Sequence, residues 1–116
     1  MLLRILTIMA FFMPVSSVVA GSYDDLLTAI KMNDIAAAEA LFARGMDVNT
    51  SDPNANTLLM IAVRENHADM ATRLLRRQAK VGARNRYGES ALMLAAANGA
   101  LELVKLLIAH GAEVNM

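Results

Sequence analysis

Apolar and small side chains return every 33 positions along this 116-residue chain: Leu26, Leu59 and Leu92; Ala29, Ala62 and Ala95; Leu41, Leu74 and Leu107; Val48, Val81 and Val114. A period of this length, held without gaps, predicts an array of stacked supersecondary units that bury their apolar faces on one another. Function then belongs to a surface, not to a catalytic pocket. In the first unit, Ser22-Tyr23-Asp24-Asp25 resembles a capping box and predicts a helix running to about Met32. A second helix is expected from Ile35 to Arg44, ended by Gly45, where a left-handed residue costs least. The leucine columns fill the space between helix layers, and the alanine column lets neighbouring helices approach closely.

The third unit carries a longer signature. It contains Gly88, the tetrad Ser90-Ala91-Leu92-Met93, Leu94-Ala95-Ala96, Gly99, Leu103-Val104-Lys105-Leu106-Leu107 and Gly111-Ala112-Glu113-Val114-Asn115. This closely resembles an ankyrin repeat. The second unit keeps Thr57, Leu59, Ala62, His67, Leu74, Leu75, Ala79 and Val81, with Asn66 and Gln78 in place of Gly99 and Gly111; the first keeps Leu26, Ala29, Leu41, Phe42, Gly45, Asp47, Val48 and Asn49 but lacks the leading turn. The resemblance implies an all-α solenoid of about three helix-turn-helix repeats, near 23–50, 51–83 and 84–116, joined by projecting loops. Asn tolerates a left-handed backbone better than Gln, so the second helix of the middle repeat is expected to close less well. The family's Thr-Pro-Leu-His tetrad is altered in both later copies, which implies a less stable array than an idealised one.

Residues 1–20 differ in composition. Arg4, the apolar run from Ile5 to Met13, the break at Pro14 and Val18-Val19-Ala20 before Gly21 predict a cleavable signal peptide, followed by a repeat domain over 21–116. The alternative is a retained membrane anchor. A spanning helix needs about 20 apolar residues, however, and Ile5 to Ala20 is shorter and interrupted by Pro14, Ser16 and Ser17. Export predicts a periplasmic or secreted location.

Setting 1–20 aside removes Arg4, one of 11 basic side chains, and leaves ten against 11 acidic ones, a net charge near −1. No global field draws the domain toward nucleic acid or anionic lipid. The chain has no cysteine, so disulfides and thiolate metal sites are excluded and stability rests on repeat stacking.

Ankyrin arrays bind through loop tips and the exposed side of each first helix. Carried over position by position, the resemblance implies partner-binding roles for Arg86, Tyr87, Glu89 and Asn98, with Ala97, in the third repeat. It implies Asn54, Asn56, Arg64 and Glu65 in the second, and Lys31 and Met32 in the first. Tyr87 beside Arg86 stands out, because an exposed aromatic offers a large contact area at low entropic cost; the alternative is that Tyr87 packs on its own loop. Arg73, Arg76, Arg77, Lys80, Arg84 and Arg86 form a basic run. Helical phase splits it between a second helix and a loop tip, so a solvated, dipole-stabilising face is expected over a single site.

His67 and His110 lie 43 positions apart in different repeats, which makes no zinc site and points to structural roles. There is no nucleophile elbow, phosphate loop or dinucleotide fingerprint. The sequence therefore predicts no catalytic residues, cofactor or metal, and no enzymatic activity. The expected function is an exported protein-interaction module, as a chaperone, inhibitor or assembly factor. A secreted effector acting on a host protein and a structural part of a membrane-tethered assembly are the alternatives. The last unit packs Leu101, Leu103, Val104, Leu106, Leu107 and Ile108 into eight positions, so some must face outward. That edge predicts contact with a partner, self-association, or continuation into a longer array.

Overall fold

The computed structural model describes residues 23–112. The expected signal segment, Ser22 of the capping box, and Glu113 to Met116 lie outside the described residues. Six helices occur within them: α1 (23–31), α2 (Ile35–Ala43), α3 (Leu58–Arg64), α4 (Ala68–Arg76), α5 (Ala91–Ala97) and α6 (Leu101–Ala109). The only extended pairing among these residues is an isolated antiparallel bridge between Ser51 and Thr57.

Local chemistry sets the helix ends. Asp34, Thr57 and Ser90 accept from the amides of Ala37, Met60 and Met93, each at 3.2 Å, and so satisfy amides that the first turns of α2, α3 and α5 leave without partners. The altered tetrads thus keep their first-position cap although they lack proline. Each pair of helices is joined by a short turn at Asn33, Asn66 or Gly99, with φ of 57°, 60° and 66°. In all three turns the chain folds back through the same two hydrogen bonds. In the middle one Asn66 donates to the Val63 carbonyl and His67 to that of Ala62, at 3.0 and 2.8 Å.

The second helices close alike as well, which corrects the expectation of a poorly closed α4. Gln78 adopts φ 70° and donates to Leu75 at 3.0 Å, and Ala79 donates to Leu74 at 3.1 Å. Gly45 with Met46 and Gly111 with Ala112 make the equivalent bonds at 2.9 to 3.2 Å. Packing of α4 holds Gln78 in the turn despite its Cβ, so the departure from glycine costs backbone strain and leaves the geometry intact.

Stacking buries the columns. Leu26, Leu59 and Leu92, Leu41, Leu74 and Leu107, and Ala29, Ala62 and Ala95 are all in the core, while Val48 and Val81 pack against it half-buried. Helix α3 packs on α4 and α5, and α6 on α5 and α4, so the second and third units cover one another.

Candidate interaction surface

The loops between repeats are built from polar side chains that substitute for missing backbone partners. Asp52 Oδ1 accepts from the amides of Asn54 and Asn56, both at 2.9 Å, and Oδ2 accepts from Asn56 Nδ2 at 3.0 Å. Thirty-three residues on, Asn85 Oδ1 repeats the device with the amides of Tyr87 and Glu89, both at 2.9 Å. The two turns are then tied together. Asn85 Nδ2 donates to Asn56 Oδ1 and to Glu89 Oε1, each at 2.9 Å, and the Arg86 amide donates to the Asn54 carbonyl at 2.9 Å. Arg64 Nη2 reaches Asn56 Oδ1 at 3.2 Å and joins the end of α3 to the loop bases. Burial alone would raise the Asp52 pKa; hydrogen bonds from Asn56 and Asn54, with the nearby Arg64 charge, outweigh it and hold the carboxyl below its ordinary value.

This network decides which expected residues reach solvent. Tyr87 is 68% exposed at the tip of the second loop, its amide pinned by Asn85. Arg86 and Asn54 lie exposed beside it, joined through the backbone. Arg64, Glu65 and Asn98 are exposed at the ends of α3 and α5, and Asn98 Nδ2 donates to the Arg64 carbonyl at 3.3 Å. Lys31, Met32 and Ala97 are exposed too. Asn56 is a correction: it is 3% exposed, because its side chain is shared among Asp52, Arg64 and Asn85, and it organises the surface from beneath. Glu89 is half-buried and partly spent on Asn85. Asp52 and Asn85, on which the two turns close, carry one signal in the sequence: a common position in the 33-residue period, each four residues before a second polar side chain.

A family model for ankyrin repeats in three copies matches residues 26–116. The chain belongs to the ankyrin-repeat family. Similar proteins include zygote-specific protein 3 of Chlamydomonas reinhardtii, 38% identical over 105 residues that make up 87% of this chain and 27% of the relative. The mitochondrial disaggregase of Bos taurus is 36% identical over 95 residues, 82% of this chain and 14% of the relative. The glycerophosphocholine phosphodiesterase gde1 of Schizosaccharomyces pombe is 38% identical over 78 residues, 66% of this chain and 7% of the relative. The chain spans about a quarter or less of the length of these curated relatives.

Ankyrin repeats are protein-interaction modules, and the remaining polar residues of this array divide between scaffold and surface. His67 Nε2 lies 2.8 Å from the Lys31 carbonyl and so carries the proton of a bond between the first two repeats. The basic run is divided as its helical phase implies. Arg73 Nη1 lies 3.9 Å from Glu39 Oε1, Arg77 pairs with the same carboxylate, and the Arg77 guanidinium sits 5.0 Å from the Phe42 ring centre. These two residues fasten α4 to α2. Arg84, by contrast, donates from Nη1 to the Gly88 carbonyl at 2.9 Å and braces the loop that carries Tyr87. Among the described residues no group of three or more His, Asp or Glu side chains could hold a metal ion, and no helix is long and apolar enough to cross a membrane.

Proposed function

We propose that this chain is an exported ankyrin module that binds a protein partner through its loop tips and the exposed ends of its first helices. The observation that carries this reading is Tyr87, exposed beside Arg86 on a turn braced by Asn85, Arg84 and the neighbouring loop. Bracing matters because a loop backbone already held in place loses little freedom on binding. Asn54, Arg64, Glu65 and Asn98 extend the surface toward the helix ends. Glu89 contributes from its margin. A chaperone, inhibitor or assembly factor would use such a surface without chemistry of its own.

Export rests on the composition of residues 1–20, and cleavage there predicts an intact mass that starts at Gly21. Crosslinking the tagged protein in its native compartment, followed by mass spectrometry, tests the binding surface. Tyr87→Ala and Arg86→Glu are expected to reduce recovery of the partner while leaving the thermal midpoint unchanged. A partner recovered equally by both variants overturns the assignment.

A further inference from the structure

The two ends of the array differ at the positions that face a neighbouring repeat. Three columns lie on the side of each repeat that meets the next one: Ile30, Val63 and Ala96; Ala38, Ala71 and Val104; Phe42, Leu75 and Ile108. The members in the first two repeats are all buried; Ala96 is exposed, Val104 half-exposed and Ile108 43% exposed. Leu101, one turn before Val104 on α6, is 61% exposed, and its counterpart Ala68 is exposed in the middle repeat as well. The C-terminal edge therefore continues an established inter-repeat interface and keeps its apolar character. At the N-terminal edge the corresponding positions have turned polar or small. Asp25, Thr28 and Ala37 stand where the middle repeat buries Leu58, Ile61 and Met70.

We infer that the C-terminal edge is closed by a second copy of this chain, with α6 packed antiparallel on α6 across a two-fold axis. Head-to-tail stacking is disfavoured because it would bury Asp25 and Thr28 of one copy against the apolar edge of the other without partners. An edge-to-edge arrangement has no such cost. Leu101, Val104 and Ile108 recur at helical spacing, so antiparallel packing sets Leu101 of one copy against Ile108 of the second. Glu102 and Lys105 flank this stripe on the same side, both exposed, and the two-fold brings Glu102 of each copy toward Lys105 of the other. The pairing is self-complementary in shape and in charge, and it leaves Tyr87 and Arg86 out of the contact stripe.

Sedimentation equilibrium of the full chain across a concentration series tests this. The expected result is a monomer–dimer equilibrium that Ile108→Glu abolishes while helical circular dichroism is unchanged, since Ile108 is exposed within one copy. Glu102→Lys should weaken the dimer, and adding Lys105→Glu should restore it. Met32→Glu, at the opposite edge, should leave association as it was. A monomer at every concentration, an association that survives Ile108→Glu, or one lost in Met32→Glu overturns the inference. None of these results depends on the Tyr87 surface.

Discussion

The middle and third repeats have nearly the same backbone and conspicuously different sequences at its tightest points. The third repeat places Gly88, Gly99 and Gly111 at positive φ, and the middle repeat places Ala55, Asn66 and Gln78 there, with φ of 63°, 60° and 70°. Glycine adopts this conformation freely, Asn with little difficulty, Ala and Gln against a penalty of about 1–2 kcal/mol. The middle repeat keeps the geometry because it is packed from both sides. A repeat inside a stack can absorb local misfits that an isolated helix pair could not, and its stability is the quantity that suffers.

If neighbours hold the middle repeat in shape, removing its packing should be the most damaging change. Leu74 is fully buried, and Leu74→Ala should lower unfolding free energy by roughly 2–5 kcal/mol, read from urea or thermal unfolding. Leu107 is equally buried in the third repeat but has no covering repeat beyond it among the described residues. Leu107→Ala should therefore loosen α5 and α6 first, seen as early amide exchange in that repeat, while Leu74→Ala should weaken the array as one unit. An unchanged midpoint for Leu74→Ala would contradict the packing argument.

Exchanging residues at the left-handed turns tests the strain directly. Beyond its two chain neighbours no heavy atom lies within 4 Å of the place where a Cβ on Gly111 would sit, so a side chain there meets only the backbone penalty. Gly111→Gln should cost about 1 kcal/mol, and Gln78→Gly should gain about 0.5–1 kcal/mol once the greater freedom of unfolded glycine is deducted. Ala55→Gly should act in the same direction. If Gln78→Gly destabilises the protein, the middle repeat is not strained at that turn.

The buried columns and the two helices of the first repeat could be read from the chain because stacking repeats the same packing problem every 33 residues. Intrinsic preference misleads at Gln78, because contacts distant in sequence supply the energy that overrides it. Asn56 was misplaced for a related reason. Its position in a loop was legible, but not that Asn85, 29 residues on, would cover it and donate to its Oδ1. Exposure in this surface depends on how one loop lies on the next, which the period alone does not disclose. The exposure of Tyr87 and Arg86 was legible because they stand at a loop tip that no other described residue covers.

The smallest expected effect concerns acid. The middle loop closes on Asp52 and the next on Asn85, so only the former can titrate. The Asp52 pKa is lowered in the folded protein, which means that its contribution is fully present above the ordinary carboxyl value of 3.8 and is lost as pH falls through the lower, folded value. Protonation would weaken its bonds to the amides of Asn54 and Asn56 and to Asn56 Nδ2. Asn85 demonstrates that an asparagine can hold such a turn, so Asp52→Asn should fold, with a loss at neutral pH of about 1 kcal/mol or less. Its thermal midpoint should then fall less steeply than that of the parent below pH 3.8, and Asn85→Asp should steepen the fall. Parallel curves for parent and Asp52→Asn would show that the hydrogen bonds, and not the charge, hold the loop, making the two turns alike in energy as well as in shape.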